Sequence, residues 1–192
     1  YLHPYDENYL LGFGKDAVEI PVKDGQGKIV GSMAYYQGMK VALFDVRDVH
    51  NPVQLFSESI GDRGTDSELL RNHKALLFHR EKNLLAFPVT LMEVTDRRQE
   101  GEGAFARYGE FAFQGAYVYH LDLVNGFQLK GRITHLEEED YLKAGSGWYD
   151  SEFNVERILY IGDTIYTLSQ GKIAAHGLDH LEEKGVLMIP GA

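Results

Sequence analysis

The chain has 192 residues, 29 acidic against 19 basic side chains for a formal net charge of −10, 44% apolar and 12% aromatic content, 21 glycines and no cysteine. That length buries one real core. The charge argues against a phosphate-neutralising nucleic-acid surface and suits cationic partners or metal ions better, while the missing cysteine excludes disulfides, thiolate nucleophiles and Cys-based zinc sites.

Tyr and Phe favour pleated surfaces and Gly serves tight turns, so an all-β chain is expected. Strands are predicted at 9–19, 29–36, 40–46, 53–60, 73–79, 84–90, 111–123, 127–134, 157–161, 164–169, 172–178 and 186–189. One short acidic helix is predicted over 137–143, and a capped turn over 66–71. Asp45 and Asp48 before Pro52 read as turn formers. HKALLFH and NLLAFPV are apolar on both faces, the mark of sheets sandwiched between sheets. No run approaches the ~20 apolar residues of a membrane span, and no charged, then apolar, then small-residue leader opens the chain. A chain opening on Tyr rather than Met is expected to be a processed or truncated product.

The chain also repeats itself. GMKVALFDVRDVHNPVQLFSESI from Gly38 returns as GAYVYHLDLVNGFQLKGRITH from Gly115, and again, shortened, from Gly171 to Ile189. Short strands and turns recurring at such intervals predict a radial or stacked β architecture. LHPYDENYLLGFG aligns with LFHREKNLLAFPV, so Tyr1 to His3 is the tail of a first strand. The expectation is a single partial β-propeller domain over 1–192, with blades at about 1–60, 73–135 and 155–192. These are three four-stranded blades, the first incomplete.

HKALLF with NLLAFPV, GAYVYHLDLVNGFQLKGRITH, and RILYIGDTIYTLSQGKIAAHGLDHLEE resemble the C-terminal β-propeller domain of a family of secreted bacterial and archaeal proteins. LYIGD-x-IYT at Leu159 to Thr167 is the most specific string. The resemblance implies a secreted or envelope-attached propeller and transfers no catalytic residue.

Alternating strand direction brings the connections 22–28, 61–72, 93–110 and 136–154 to one face, opposite short turns such as REKN and LVNG. Long loops on a rigid scaffold are where binding resides. On this face Arg63, His73, Arg97, Trp148 and Tyr149 are the candidate ligand-binding residues, for a protein, peptide or glycan. Asp62, Asp66 and Glu68 in GDRGTDSELLRN are candidate ligands of a calcium ion, a hard cation that wants several oxygens. The same residues also serve as turn caps or as partners of Arg63 or Arg71. Trp148 also suits folding back over the channel or a blade edge, and the aromatics of GEGAFARYGEFAFQG suit packing over the propeller itself or docking on a partner or a missing blade.

Asp66, Ser67 and His73 are grouped like a triad, but a working triad requires geometry that sequence proximity does not supply. His79, His120 and His176 read as strand histidines. Three functions therefore stand: a binding scaffold, a metal-assisted or His-based hydrolase with its site near the axis, and a structural surface domain with loop-bound calcium. Exposed end-blade faces add an expectation of self-association.

Overall fold

The computed structural model describes residues 1–95, 107–147 and 150–190. Its strands run in chain order as β1 (Leu2–Pro4), β2 (Tyr9–Lys23), β3 (Ile29–Asp45), β4 (Val53–Ile60), β5 (Leu77–His79), β6 (Leu84–Glu93), β7 (Glu110–Asp122), β8 (Gly126–Ile133), β9 (Arg157–Ile161), β10 (Thr164–Leu168), β11 (Lys172–Gly177) and β12 (Glu183–Met188), with one helix, α1 (Glu138–Ala144), between β8 and β9. They form three antiparallel four-stranded sheets, β1 to β4, β5 to β8 and β9 to β12, each in simple chain order. The short first strand is β1, which pairs Leu2 with Gly12 and Pro4 with Leu10.

The sheets stack because β6 and β7 are apolar on both sides. Leu85, Phe87, Val89, Tyr119 and Leu121 pack against Leu11, Phe13, Met39, Val41 and Leu43 of the first sheet. Phe87 lies parallel to Tyr119 at 5.8 Å and edge-on to Phe13 at 5.7 Å. The alternate residues Leu84, Ala86, Ala116, Val118 and Ile133 pack against Ile158 and Ile165 of the third sheet. A period-2 backbone offers its odd and even residues to opposite neighbours, so one strand serves two cores. Tyr119 donates its buried hydroxyl to Glu58 Oε1 on β4 at 3.0 Å, tying the first two sheets.

Four expectations are corrected. The strands at 29–36 and 40–46 are one strand, β3. Gly38 is no breaker; a Cβ there would meet the carbonyl oxygens of Gly61 at 2.1 Å and Ile60 at 2.2 Å, so it is the residue that permits this backbone approach. The inner strand expected from His73 starts only at Leu77, because His73–Ala75 forms a 3-10 turn capped by the Asn72 side chain on Lys74 N–H. The turn over 66–71 is a 3-10 turn capped by Ser67 rather than by Thr or Asp. The third repeat is out of step by one residue: a start at Gly171 aligns Val118 with Ala174, yet Val118 faces the third sheet while Ala174 pairs with Thr167 on the face that meets the second.

Outer-strand contacts lock the stack. Gly126 has φ +71°, and a Cβ there would lie 2.6 Å from Phe56 of β4, while one on Gly131 would lie 2.7 Å from Leu181, which enters β8 from the β11 to β12 turn. Leu181 holds a left-handed backbone, φ 56°, to reach it. Gly126→Ala is expected to destabilise the fold by about 1 to 3 kcal/mol in denaturant unfolding, combining left-handed strain with the clash on Phe56. Gly14→Ala, with open space around it, is the control. Equal midpoints for the two variants would contradict the account.

Candidate functional site

The described parts of the connections 61–72 and 136–154 lie beside the middle sheet, pinned to its strands, while 22–28 turns at the tip of the β2 to β3 hairpin. The segment after β4 runs beside β6: Asp62 N–H donates to Met92 O at 2.8 Å, and Asp66 and Thr90 exchange backbone hydrogen bonds of 2.9 and 2.8 Å. The segment after β8 is pinned by Gln114 of β7, whose side-chain amide copies a strand pair. It accepts from Val155 N–H at 2.8 Å and donates to Val155 O at 3.0 Å. α1 closes the same side, with Phe111 stacked on Tyr141 at 5.6 Å.

Between these two segments lies a recess of about 340 Å³ lined by Asp66, Ser67, Glu68, Arg71, Thr90, Gln114, Asp150, Asn154 and Glu156, among others. Four of these side chains are carboxylates and one is a guanidinium. Asp66 is occupied, with Lys15 Nζ at 2.9 Å and Arg71 at 2.5 Å. Burial pushes its carboxyl up, but the hydrogen bonds and charges of Lys15 and Arg71 outweigh that and hold it below the usual range. Among the described residues, Glu68 has only Arg71 at 3.9 Å, and Glu156 accepts from the neutral amide of Gln170 at 2.9 Å. Counted over those residues, the recess keeps an excess of negative charge after its internal pairs.

The structure places the candidate metal ligands apart in role. Asp62 Oδ2 accepts from Val94 N–H at 2.7 Å, Asp66 holds two cations, and only Asp66 and Glu68 face the recess. Among the described residues, no group of three or more His, Asp and Glu is gathered in metal-holding geometry.

Arg63 lies elsewhere, at the root of the long β2 to β3 hairpin. Its guanidinium sits 4.5 Å from the Tyr108 ring centre and 5.8 Å from that of Tyr35, in a second recess of about 360 Å³ shared with Tyr36, Gln37 and Lys15. His73 is exposed on its turn. Arg97, Trp148 and Tyr149 lie outside the described residues. Sequence reading missed Asp150, Glu156 and Gln114. Only Gln114, a polar residue inside an apolar strand, carried a local signal.

The grouping of Asp66, Ser67 and His73 does not form a relay. Ser67 donates to Pro88 O at 2.5 Å and caps Leu69 N–H at 3.2 Å; both bonds are structural. A buried histidine that meets two hydroxyls is His135, with Nδ1 2.9 Å from Ser169 Oγ and Nε2 2.8 Å from Thr167 Oγ1. It is 2% exposed and Thr167 is 0% exposed, so no substrate reaches them. Ser169 spends its proton on Lys172 O at 3.2 Å. With the ring neutral, Ser169 Oγ accepts from Nδ1–H, and Thr167 turns its one proton to Nε2 at 2.8 Å rather than to Ala174 O at 3.5 Å. Burial, with Lys172 and His176 nearby, pushes His135 down to about 4.

A family model for a beta propeller domain matches residues 1–181, and the chain belongs to that family. No curated protein and no solved structure matches it.

His135 generates a pH prediction. Its folded pKa lies below the unfolded 6.5, so its contribution is fully present above pH 6.5 and is lost as pH falls from there through about 4. The melting temperature is expected to drop across that window, and His135→Gln to flatten the drop. An identical slope in the variant would refute the assignment.

Proposed function

We propose that this member of the beta propeller domain family is a non-catalytic binding scaffold that captures a cationic protein or peptide ligand on its long-loop face. The observation that carries the reading is the acid-lined recess between the 61–72 and 150–156 segments. The middle sheet supplies its floor, and Glu68, Asp150 and Glu156 line its walls. A lysine or arginine side chain supplies charged donors beyond the Arg71 and Gln170 contacts of Glu68 and Glu156, and charge complementarity of this kind speeds encounter and fixes register. The formal charge of −10 attracts the same partners at longer range. The resemblance to secreted propellers supports a place outside the cell or on its envelope.

Titration calorimetry with an oligolysine and an oligoglutamate peptide tests the proposal. Binding of oligolysine is expected, weakening with added salt. Glu68→Gln, Asp150→Asn and Glu156→Gln together are expected to weaken it by at least on the order of tenfold. Equal affinity for the two peptides, or an unaffected triple variant, would contradict it.

A further inference from the structure

β3 runs on past the point where its neighbour β4 stops. β4 pairs with it only between Asp45 and Met39, and Gly61, at φ +66°, turns the chain away so that Asp62 N–H reaches Met92 O at 2.8 Å. The outer half of β3, residues 29–36, is bonded to residues 17–23 on one side and, among the described residues, to no strand on the other. The two edges of this hairpin differ in kind. Residues 17–23 include Glu19, Pro21 and Lys23, the charges and proline that keep an edge from recruiting another strand. Residues 29–36 read IVGSMAYY, without a charge or a proline, and 29–34 are all exposed.

The second recess, of about 360 Å³, begins where β4 ends. It is lined by Tyr35 and Tyr36 of β3, by Arg63 and Gly64 of the segment after β4, and by Tyr108. Arg63 is half-buried there and held against an aromatic ring. It donates to Tyr108 Oη at 3.4 Å, with its guanidinium 4.5 Å from the ring centre. Gly109 N–H donates to Arg63 O at 2.8 Å, and Gly64, at φ +107°, leaves room for the ring, since a Cβ there would come within 3.4 Å of it. Lys15, the other cation of the recess, is taken by Asp66 at 2.9 Å. Among the described residues, no carboxylate lines this recess and none pairs with Arg63.

We propose that the open edge and this recess form one docking site for an extended peptide segment that carries an Asp or Glu side chain. The peptide adds as a strand beside residues 29–36, and its carboxylate meets Arg63. Main-chain hydrogen bonds supply the affinity in strand addition, and pockets for alternate side chains supply the specificity. The planar fork of an arginine takes a carboxylate through two parallel N–H···O bonds. Tyr36, 66% exposed, and Tyr108, 68% exposed, add the aromatic surface that binding anchors favour. The site is separate from the acid-lined recess and opposite in charge. The Lys15 to Asp66 pair stands between the two, with one partner lining each.

Titration calorimetry of the full chain with an octapeptide of alternating Thr and Glu tests this, because period-2 alternation puts every carboxylate on one face of a strand. Binding is expected, with slowed amide exchange within residues 29–36. The same peptide with Gln in place of Glu, and one N-methylated at alternate residues so that it cannot pair, are each expected to bind at least on the order of tenfold more weakly. Arg63→Gln is expected to lose as much, while the triple variant Glu68→Gln, Asp150→Asn, Glu156→Gln binds the acidic peptide no more weakly than the wild type. Equal affinity for the N-methylated peptide, or for free glutamate, would overturn strand addition, and an unaffected Arg63→Gln would overturn the role of the recess. Exchange within 29–36 that is already slow in the free chain would mean the edge is covered, by a second copy if sedimentation shows a dimer, and would also overturn the proposal.

Discussion

Burying both faces of the middle sheet is the constraint on which everything else rests. β6 and β7 send Leu85, Phe87, Tyr119 and Leu121 one way and Ala86, Ala116 and Val118 the other, all at 0% exposure. Full burial of a large apolar side chain is worth about 1.5 to 3 kcal/mol, so a handful of these positions matches the whole net stability of a domain this size. A polar residue on either face would sit in a core. Polar groups in the seams include Tyr119, bonded to Glu58, and His135, held between Thr167 and Ser169, whereas His176 Nδ1 on β11 is buried with no hydrogen-bond partner among the described residues.

That rigidity fixes where the flanking segments stand. The segments entering and leaving the middle sheet are tied to it by specific bonds: Asp62 to Val94, Asp66 to Thr90, and Gln114 to Val155. The floor of the acidic recess consequently belongs to the middle sheet, while its walls come from the segments entering and leaving that sheet. A carboxylate held on such a wall loses little freedom when it pairs with a ligand cation, which is the advantage of a preorganised site. Asp66 has a different task. Bound by Lys15 and Arg71, it braces the β2 to β3 hairpin against the wall.

Architecture was legible because it is written in short-range patterns. Strings apolar on both faces, repeated at fixed offsets, predicted stacked four-stranded sheets, and β4 and β9 were placed to the residue. The errors came from a backbone approach distant in sequence and from local caps that compete with strand patterning. Gly38 looks like a breaker until Gly61 is beside it, and His73 looks like a strand residue until Asn72 caps its turn. In the third repeat, a glycine match at Gly171 outweighed face parity, and a one-residue slip exchanges inward and outward side chains. The site was legible in part. Asp66 and Glu68 do line the recess, but Asp150, Glu156 and Gln114 join them only through the contact between β7 and the segment before β9. The role of Asp66 as a brace depends on Lys15, about fifty positions earlier.

The central claim is that the middle sheet, held from both sides, is the last element to open. Native-state hydrogen exchange measures this residue by residue. Amides of β6 and β7 within Leu84–Val89 and Ala116–Leu121 are expected to exchange only through global unfolding. Those of Ala17–Lys23 and Ile29–Tyr36, which pair only with each other, should exchange far sooner. Slow exchange in β9 to β12 that outlasts β6 and β7 would contradict the account.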